Sequence, residues 1–297
     1  MRRRGNYKFL EKFSWYVPGV GGMLALLGWL LVGGLLGGLA MVFISFIPAE
    51  SSRQMAGIVS YVLMFVPPMI YASSKSGRQS INTTGYKLDS NNFSPVGAAV
   101  CVIMAIVGTI ATSFWADAFT PLLPEMPSAL RKALEELTQG PFWLNFISVS
   151  ILAPVCEEWL CRGMVLRGLL AGSRMKPAVA ILISSLFFAL IHLNPWQAIP
   201  AFLMGCLFGY VYYKTGSLKL TMLMHFTNNT VALICGHIDA LKELDSWSDI
   251  LEPRPYAILV AAAVIVTALV VLSFRKVQLK APQGNFNEVP SLFDSEE

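Results

Sequence analysis

Long apolar runs separated by short polar connections set the pattern of this chain. At 1.5 Å of rise per residue, a run of about 20 apolar residues is what a helix needs to cross the hydrocarbon core of a bilayer. Eight candidate spans follow, near 20–47, 55–72, 96–115, 142–172, 177–192, 196–213, 218–238 and 256–274, the fifth of them short. The pattern predicts an all-α, polytopic membrane protein with eight transmembrane helices. In the first run Gly33 and Gly37, and likewise Gly34 and Gly38, are four apart, a spacing that lets a second helix approach closely. Residues 2–16 carry five Lys/Arg among Tyr7, Phe9, Leu10, Phe13, Trp15 and Tyr16, which suits a helix lying in the headgroup region. In the connection 116–141, Pro127-Ser128 opens a short helix with Leu130, Ala133, Leu134 and Leu137 on one face, read as an outer amphipathic segment.

Composition excludes a water-soluble domain. Charged residues make up 13% and hydrophobic residues 55%, with a mean hydropathy of +0.59, whereas soluble domains carry about 25% charged residues. The first apolar run is far longer than the core of a secretory signal, so it reads as a membrane helix that stays. The five cysteines contain no CxxC and lie in or beside apolar runs, as small packing residues do.

Charge sets the orientation. With the amino terminus inside, the segments 1–19, 73–95, 162–176, 214–219 and 275–297 hold 17 of the 22 Lys/Arg, and the other connections hold five. Cytoplasmic segments carry the Lys/Arg excess, so both termini are expected in the cytoplasm, and in a bacterium the membrane is the plasma membrane. The net charge of +4 is this inner-face bias and points to no nucleic-acid partner. The chain divides into an interfacial segment (1–19), membrane helices 1–3 with the outer amphipathic loop (20–141), a core of helices 4–7 (142–238), an outer loop with helix 8 (239–276) and a polar tail expected to be disordered (277–297).

Ionisable groups at membrane depth are costly and mark functional sites. Three sets occur in the core: Glu157-Glu158 with Arg162, Phe188 with His192, and His225 with Asn229. On a helix Glu158 and Arg162 share a face, while Glu157 is turned by about 100° and can look into a cavity. A desolvated carboxylate suits general-base work on a water, and an imidazole and an amide four residues apart can both donate to one oxygen. Asn228 falls on a different helix face from Asn229, and His237, beside Asp239, reads as structural. Glu157 meets His192 only if the fourth helix runs on to about Gly172, about 30 residues in all and kinked at Pro154.

At these residues the sequence resembles the CPBP family of intramembrane proteases, also called the Abi or type II CAAX prenyl endopeptidase-like family, over about residues 142–238. The resemblance implies a site within helices 4, 5 and 7, where Glu157 with His192 activates the attacking water. It also implies that His225 with Asn229 steadies the oxyanion, that Glu158, Arg162 and Phe188 support the site, and that the cavity opens to the cytoplasm. It favours a glutamate-type enzyme with no cofactor. Two histidines and a glutamate would also suit a three-ligand zinc site, although HExxH is absent. Cys156 and Cys161 flank the carboxylates, so a thiol mechanism needs excluding. The implied substrate is a membrane-associated peptide or protein, met in the lipid bilayer. Two other classes use the same residues: a non-proteolytic immunity or scaffold protein, and a proton-coupled transporter, against which no inverted repeat is evident.

Overall fold

A computed structural model of the protein describes residues 9–47, 50–80, 87–90, 93–132, 141–172, 175–241 and 244–277. All regular structure among them is helical: α1 (Val20–Ser45), α2 (Glu50–Gln79), α3 (Ala98–Ala116), α4 (Phe142–Ala171), α5 (Pro177–Ile191), α6 (Pro195–Thr215), α7 (Leu218–Cys235) and α8 (Pro253–Phe274). Among the described residues five helices, α1 to α4 and α8, are long and apolar enough to cross a membrane. α5 is apolar but has 15 residues. α7 carries Thr221, His225, Thr227, Asn228, Asn229 and Thr230, polar groups that dilute its hydropathy. The surface is that of a protein dissolved in lipid. Leu35 on α1, Ile103 on α3 and Ile258 on α8 are exposed, while Glu158, Arg162 and Arg167 are fully buried.

α1 and α2 pack antiparallel through the glycines that the sequence singles out. A Cβ at Gly33 would collide with the Met64 carbonyl, and one at Gly37 would lie 2.6 Å from the Ser60 carbonyl oxygen. Backbones come this close only where no side chain intervenes, so the pair sets the register of the hairpin. One apolar core joins Leu26, Leu30 and Phe65 of this hairpin to Trp159, Leu160 and Met164 of α4. A second joins Cys101 and Ala105 of α3, Phe208 and Val211 of α6, Met224 of α7, and Val270 and Phe274 of α8.

α4 is the long fourth helix that the sequence requires, 30 residues from Phe142 to Ala171. It does not keep one register. Two stretches, Phe146–Leu152 and Trp159–Leu166, are wound as π-helix, and the α-helical turns Ala153–Glu158 lie between them. Proline has no N–H and clashes with the carbonyl four residues back, and the wider winding just before Pro154 absorbs that clash inside a continuous helix.

The amino-terminal segment differs from the expected interfacial helix. Residues 1–8 lie outside the described residues, and Phe9–Phe13 forms a short 3-10 turn. Phe13, Ser14 and Tyr16 are buried against the bundle. Arg167, on α4, donates to the carbonyls of Tyr16 (2.6 Å), Ser14 (3.3 Å) and Phe13 (3.4 Å). The segment packs there because this buried guanidinium needs acceptors, and the carbonyls at and just beyond the end of the turn provide them. At the opposite end Asp117 accepts from the Ser246 hydroxyl (2.8 Å), the Trp247 N–H (3.1 Å) and the Tyr256 hydroxyl (3.0 Å). The expected outer amphipathic helix is helical over 128–132, and 133–140 lie outside the described residues. Its Arg131 grips Asp245 with two hydrogen bonds, 2.7 and 3.0 Å, and this holds the exposed Asp245 carboxyl below its usual range. Residues 278–297 of the expected tail also lie outside the described residues.

Candidate active site

The α-helical turns between the two π stretches of α4 aim neighbouring carboxylates in different directions. Glu158 points into the protein and is fully buried. Its Oε1 accepts from Arg162 Nη1 at 2.7 Å and from His225 Nδ1 at 3.1 Å. The Arg162 guanidinium also donates to the Gly205 carbonyl at 3.0 Å and lies 4.6 Å from the Phe188 ring centre and 5.4 Å from that of Phe208. A buried ion pair survives where further hydrogen bonds and aromatic faces compensate for lost water, and this one has both.

Glu157 faces the other way, into a cavity of about 750 Å3. Its Oε1 accepts from the Tyr61 hydroxyl of α2 at 2.7 Å. Its Oε2 is buried with no hydrogen-bond partner, and stands 3.9 Å from Nε2 of His192 and 3.9 Å from Nε2 of His225. The tautomers follow from the partners. His192 Nδ1 is 2.8 Å from the Phe188 carbonyl, which can only accept, so Nδ1 carries the hydrogen and a neutral ring offers the Nε2 lone pair to the cavity. His225 Nδ1 likewise donates to the Glu158 carboxylate that Arg162 already charge-balances. Phe188 holds both rings edge to face, at 4.9 Å from His192 and 5.4 Å from His225. Glu157 Oε2 and the two Nε2 atoms therefore converge on one small space.

Asn229 lines the same cavity, and one of its amide hydrogens goes to the Val149 carbonyl, 2.9 Å away. Asn228 also lines the cavity and donates to Asn229 Oδ1 at 3.2 Å. Asn228 thus reaches the cavity from a helix face different from that of Asn229. The cavity is wide enough to take in residues on neighbouring helix faces. His237 lines it too, with its ring against Phe142 at 5.0 Å. Neither Cys156 nor Cys161 does. Sequence reasoning missed Tyr61, whose one signal was a hydroxyl within an apolar span. Among the described residues no group of three His, Cys, Asp or Glu side chains is set to hold a metal ion.

The cavity belongs to one end of the bundle. Its lining comes from Met41 of α1, Tyr61 of α2, Ser113 of α3, Asn145 to Glu157 of α4, His192 beyond α5, Gln197 to Phe208 of α6 and His225 to His237 around α7. In each of the seven helices α1 to α7 these positions run from about the midpoint toward the end that bears the connections 117–141, 192–194 and 236–252, away from the Lys/Arg-rich segments.

Comparison with known proteins bears on the same stretch. Residues 139–231 match the family model described as type II CAAX prenyl endopeptidase Rce1-like. The UPF0177 protein YxdF of Lactococcus lactis subsp. lactis (strain IL1403) is 30% identical over 116 residues, covering 39% of this chain and 60% of that relative's length. No solved structure matches the chain. The stretch from 139 to 231, which supplies Glu157, His192 and His225 to this multi-pass membrane protein, is thus similar to the type II CAAX prenyl endopeptidase Rce1-like family.

Proposed function

We propose that the protein is an intramembrane endopeptidase that hydrolyses a peptide bond of a membrane-associated peptide or protein with a water activated by Glu157 and His192. The observation that carries this reading is the unpartnered Glu157 Oε2, 3.9 Å from the Nε2 atoms of two histidines on other helices. A water hydrogen-bonded to Oε2 and to His192 Nε2 gives a proton to the carboxylate as its oxygen attacks the scissile carbonyl carbon. The carbonyl oxygen becomes an oxyanion and takes hydrogen bonds from His225 Nε2 and from the second amide hydrogen of Asn229. His225 Nδ1 already donates to Glu158, so Nε2 can donate only when the ring carries both hydrogens. The charges of Glu157, Glu158, Arg162 and the imidazolium then sum to zero, a balance that suits charges largely buried in protein. The C–N bond breaks, the proton held by Glu157 passes to the leaving amine, and a carboxylic acid and an amine are released.

In this reading α5, α6 and α7 cross the membrane with the five apolar helices, both termini are cytoplasmic, and no metal or other cofactor takes part. The cavity then opens on the outer side, in place of the cytoplasmic opening implied by the resemblance, because it lies at the helix ends opposite the Lys/Arg-rich segments. The test compares the membrane proteome of cells making the wild type with that of cells making Glu157→Gln. Peptide fragments with new termini are expected to vanish with the variant while the protein still accumulates, and cleavage that persists refutes the assignment. Chelators are expected to leave cleavage unchanged in membranes. Loss on chelation and recovery with zinc would assign the chemistry to a metal.

A further inference from the structure

Glu157 is held from outside the family segment. A glutamate carboxylate turns about a broad, weakly preferred terminal torsion, so backbone and rotamer preferences alone do not decide where its second oxygen points. Here the Tyr61 hydroxyl takes Oε1 at 2.7 Å and leaves Oε2 directed at the two Nε2 atoms. Tyr61 is itself fixed. Its ring packs on Phe65 with centres 5.2 Å apart, and the α2 backbone on both sides of it is seated against α1. Ser60, just before Tyr61, meets Gly37, and Leu63 and Met64, just after it, meet Gly33. A Cβ at Gly37 would lie 2.6 Å from the Ser60 carbonyl oxygen and 3.1 Å from its Cα, so a larger residue must push this turn of α2 away.

We propose that Tyr61 is a positioning residue for the Glu157 carboxylate, and that the close α1–α2 packing at Gly33 and Gly37 exists to hold its hydroxyl there. The inference rests on the peptidase reading above. It gives a role to the close backbone contacts of a helix hairpin that lies outside the matched stretch 139–231. A hydroxyl displaced by about 1 Å no longer fixes the carboxylate, and errors of that size cost about 100-fold in rate.

The experiment uses the full chain in liposomes and, as probe, a synthetic peptide spanning a bond whose fragments vanish in Glu157→Gln. Tyr61→Phe keeps the ring and loses the hydroxyl. It is expected to lower kcat by about 10- to 100-fold with KM unchanged and with the melting temperature close to that of the wild type. Gly37→Leu carries the same test without touching residue 61, and is expected to lower kcat comparably. The double variant should lose no more than the worse single one, because both changes remove the same contact. Wild-type kcat in Tyr61→Phe, a loss confined to KM, or additive losses in the double variant would overturn the positioning role. If Glu157→Gln itself cleaves the probe, it is the peptidase reading that fails instead.

Discussion

The Asn229 amide donates to the Val149 carbonyl because that carbonyl has no partner in its own helix. In the π stretch of α4 the Ala153 N–H reaches back to Ser148, and the next residue, Pro154, has no N–H to offer Val149. The side chain of α7, 2.9 Å away, fills the gap. Asn229 thus locks α7 to α4 at the level of the cavity while keeping a second amide hydrogen for a ligand.

Replacing Asn229 with Ala should therefore cost both stability and cleavage. An unpartnered carbonyl costs about 1–3 kcal/mol when fully buried, so this part-buried one should cost at most about that, which a melting curve in detergent would register. Adding Pro154→Ala supplies the missing N–H and should return part of that stability while cleavage stays lost. Recovery of cleavage in the double variant would show that Asn229 matters only as a strut.

Arg162→Met should destabilise the protein by about 3–5 kcal/mol, because it leaves the Glu158 carboxylate buried without its cation. Arg162→Lys should not restore it, since a single ammonium cannot reach Glu158, the Gly205 carbonyl and the two phenylalanine faces together. Replacing both Glu158 and Arg162 with Met should recover most of the stability and none of the activity, because His225 Nδ1 then has no acceptor. Equal melting temperatures for wild type and Arg162→Met would contradict the buried pair.

Glu157→Gln should be at least as stable as the wild type. The added amide gives the Nε2 lone pair of His192 a donor, where the native carboxylate leaves Oε2 without a partner among the protein's own groups. Active sites commonly trade stability for chemistry in this way. A variant that melts well below the wild type would mean that the carboxylate is a structural anchor.

The orientation can be read with a membrane-impermeant maleimide in intact cells. A cysteine placed at Asp249, exposed in the connection before α8, should be labelled, and one at Lys276, exposed after α8, should be labelled only once the cells are opened. The reverse pattern would put the cavity on the cytoplasmic side.

Much of this architecture is legible in the sequence, since lipid imposes a simple rule. Apolar runs of sufficient length become helices, and charges kept inside them need partners. That rule locates the helices and the Glu158–Arg162 pair, and the family resemblance adds that Glu157, His192 and His225 come together, which requires a long α4. It fails where a polar group is satisfied by a partner far away in sequence. Arg167 holds the carbonyls of Phe13, Ser14 and Tyr16, which packs the end of the amino-terminal segment against the bundle. Tyr61 reaches Glu157 across 96 positions, and Asn229 reaches Val149 across 80.

The sequence by itself determined the class of the protein and which ionisable residues lie within its apolar segments, because hydropathy and the cost of burying charge act locally along the chain. Tertiary structure alone decided how those residues face one another: which oxygen of Glu157 is left open, which nitrogen each histidine presents, and at which end of the bundle the cavity lies. Directions of this kind depend on helix packing and on the change of register in α4, and both arise from contacts between distant segments.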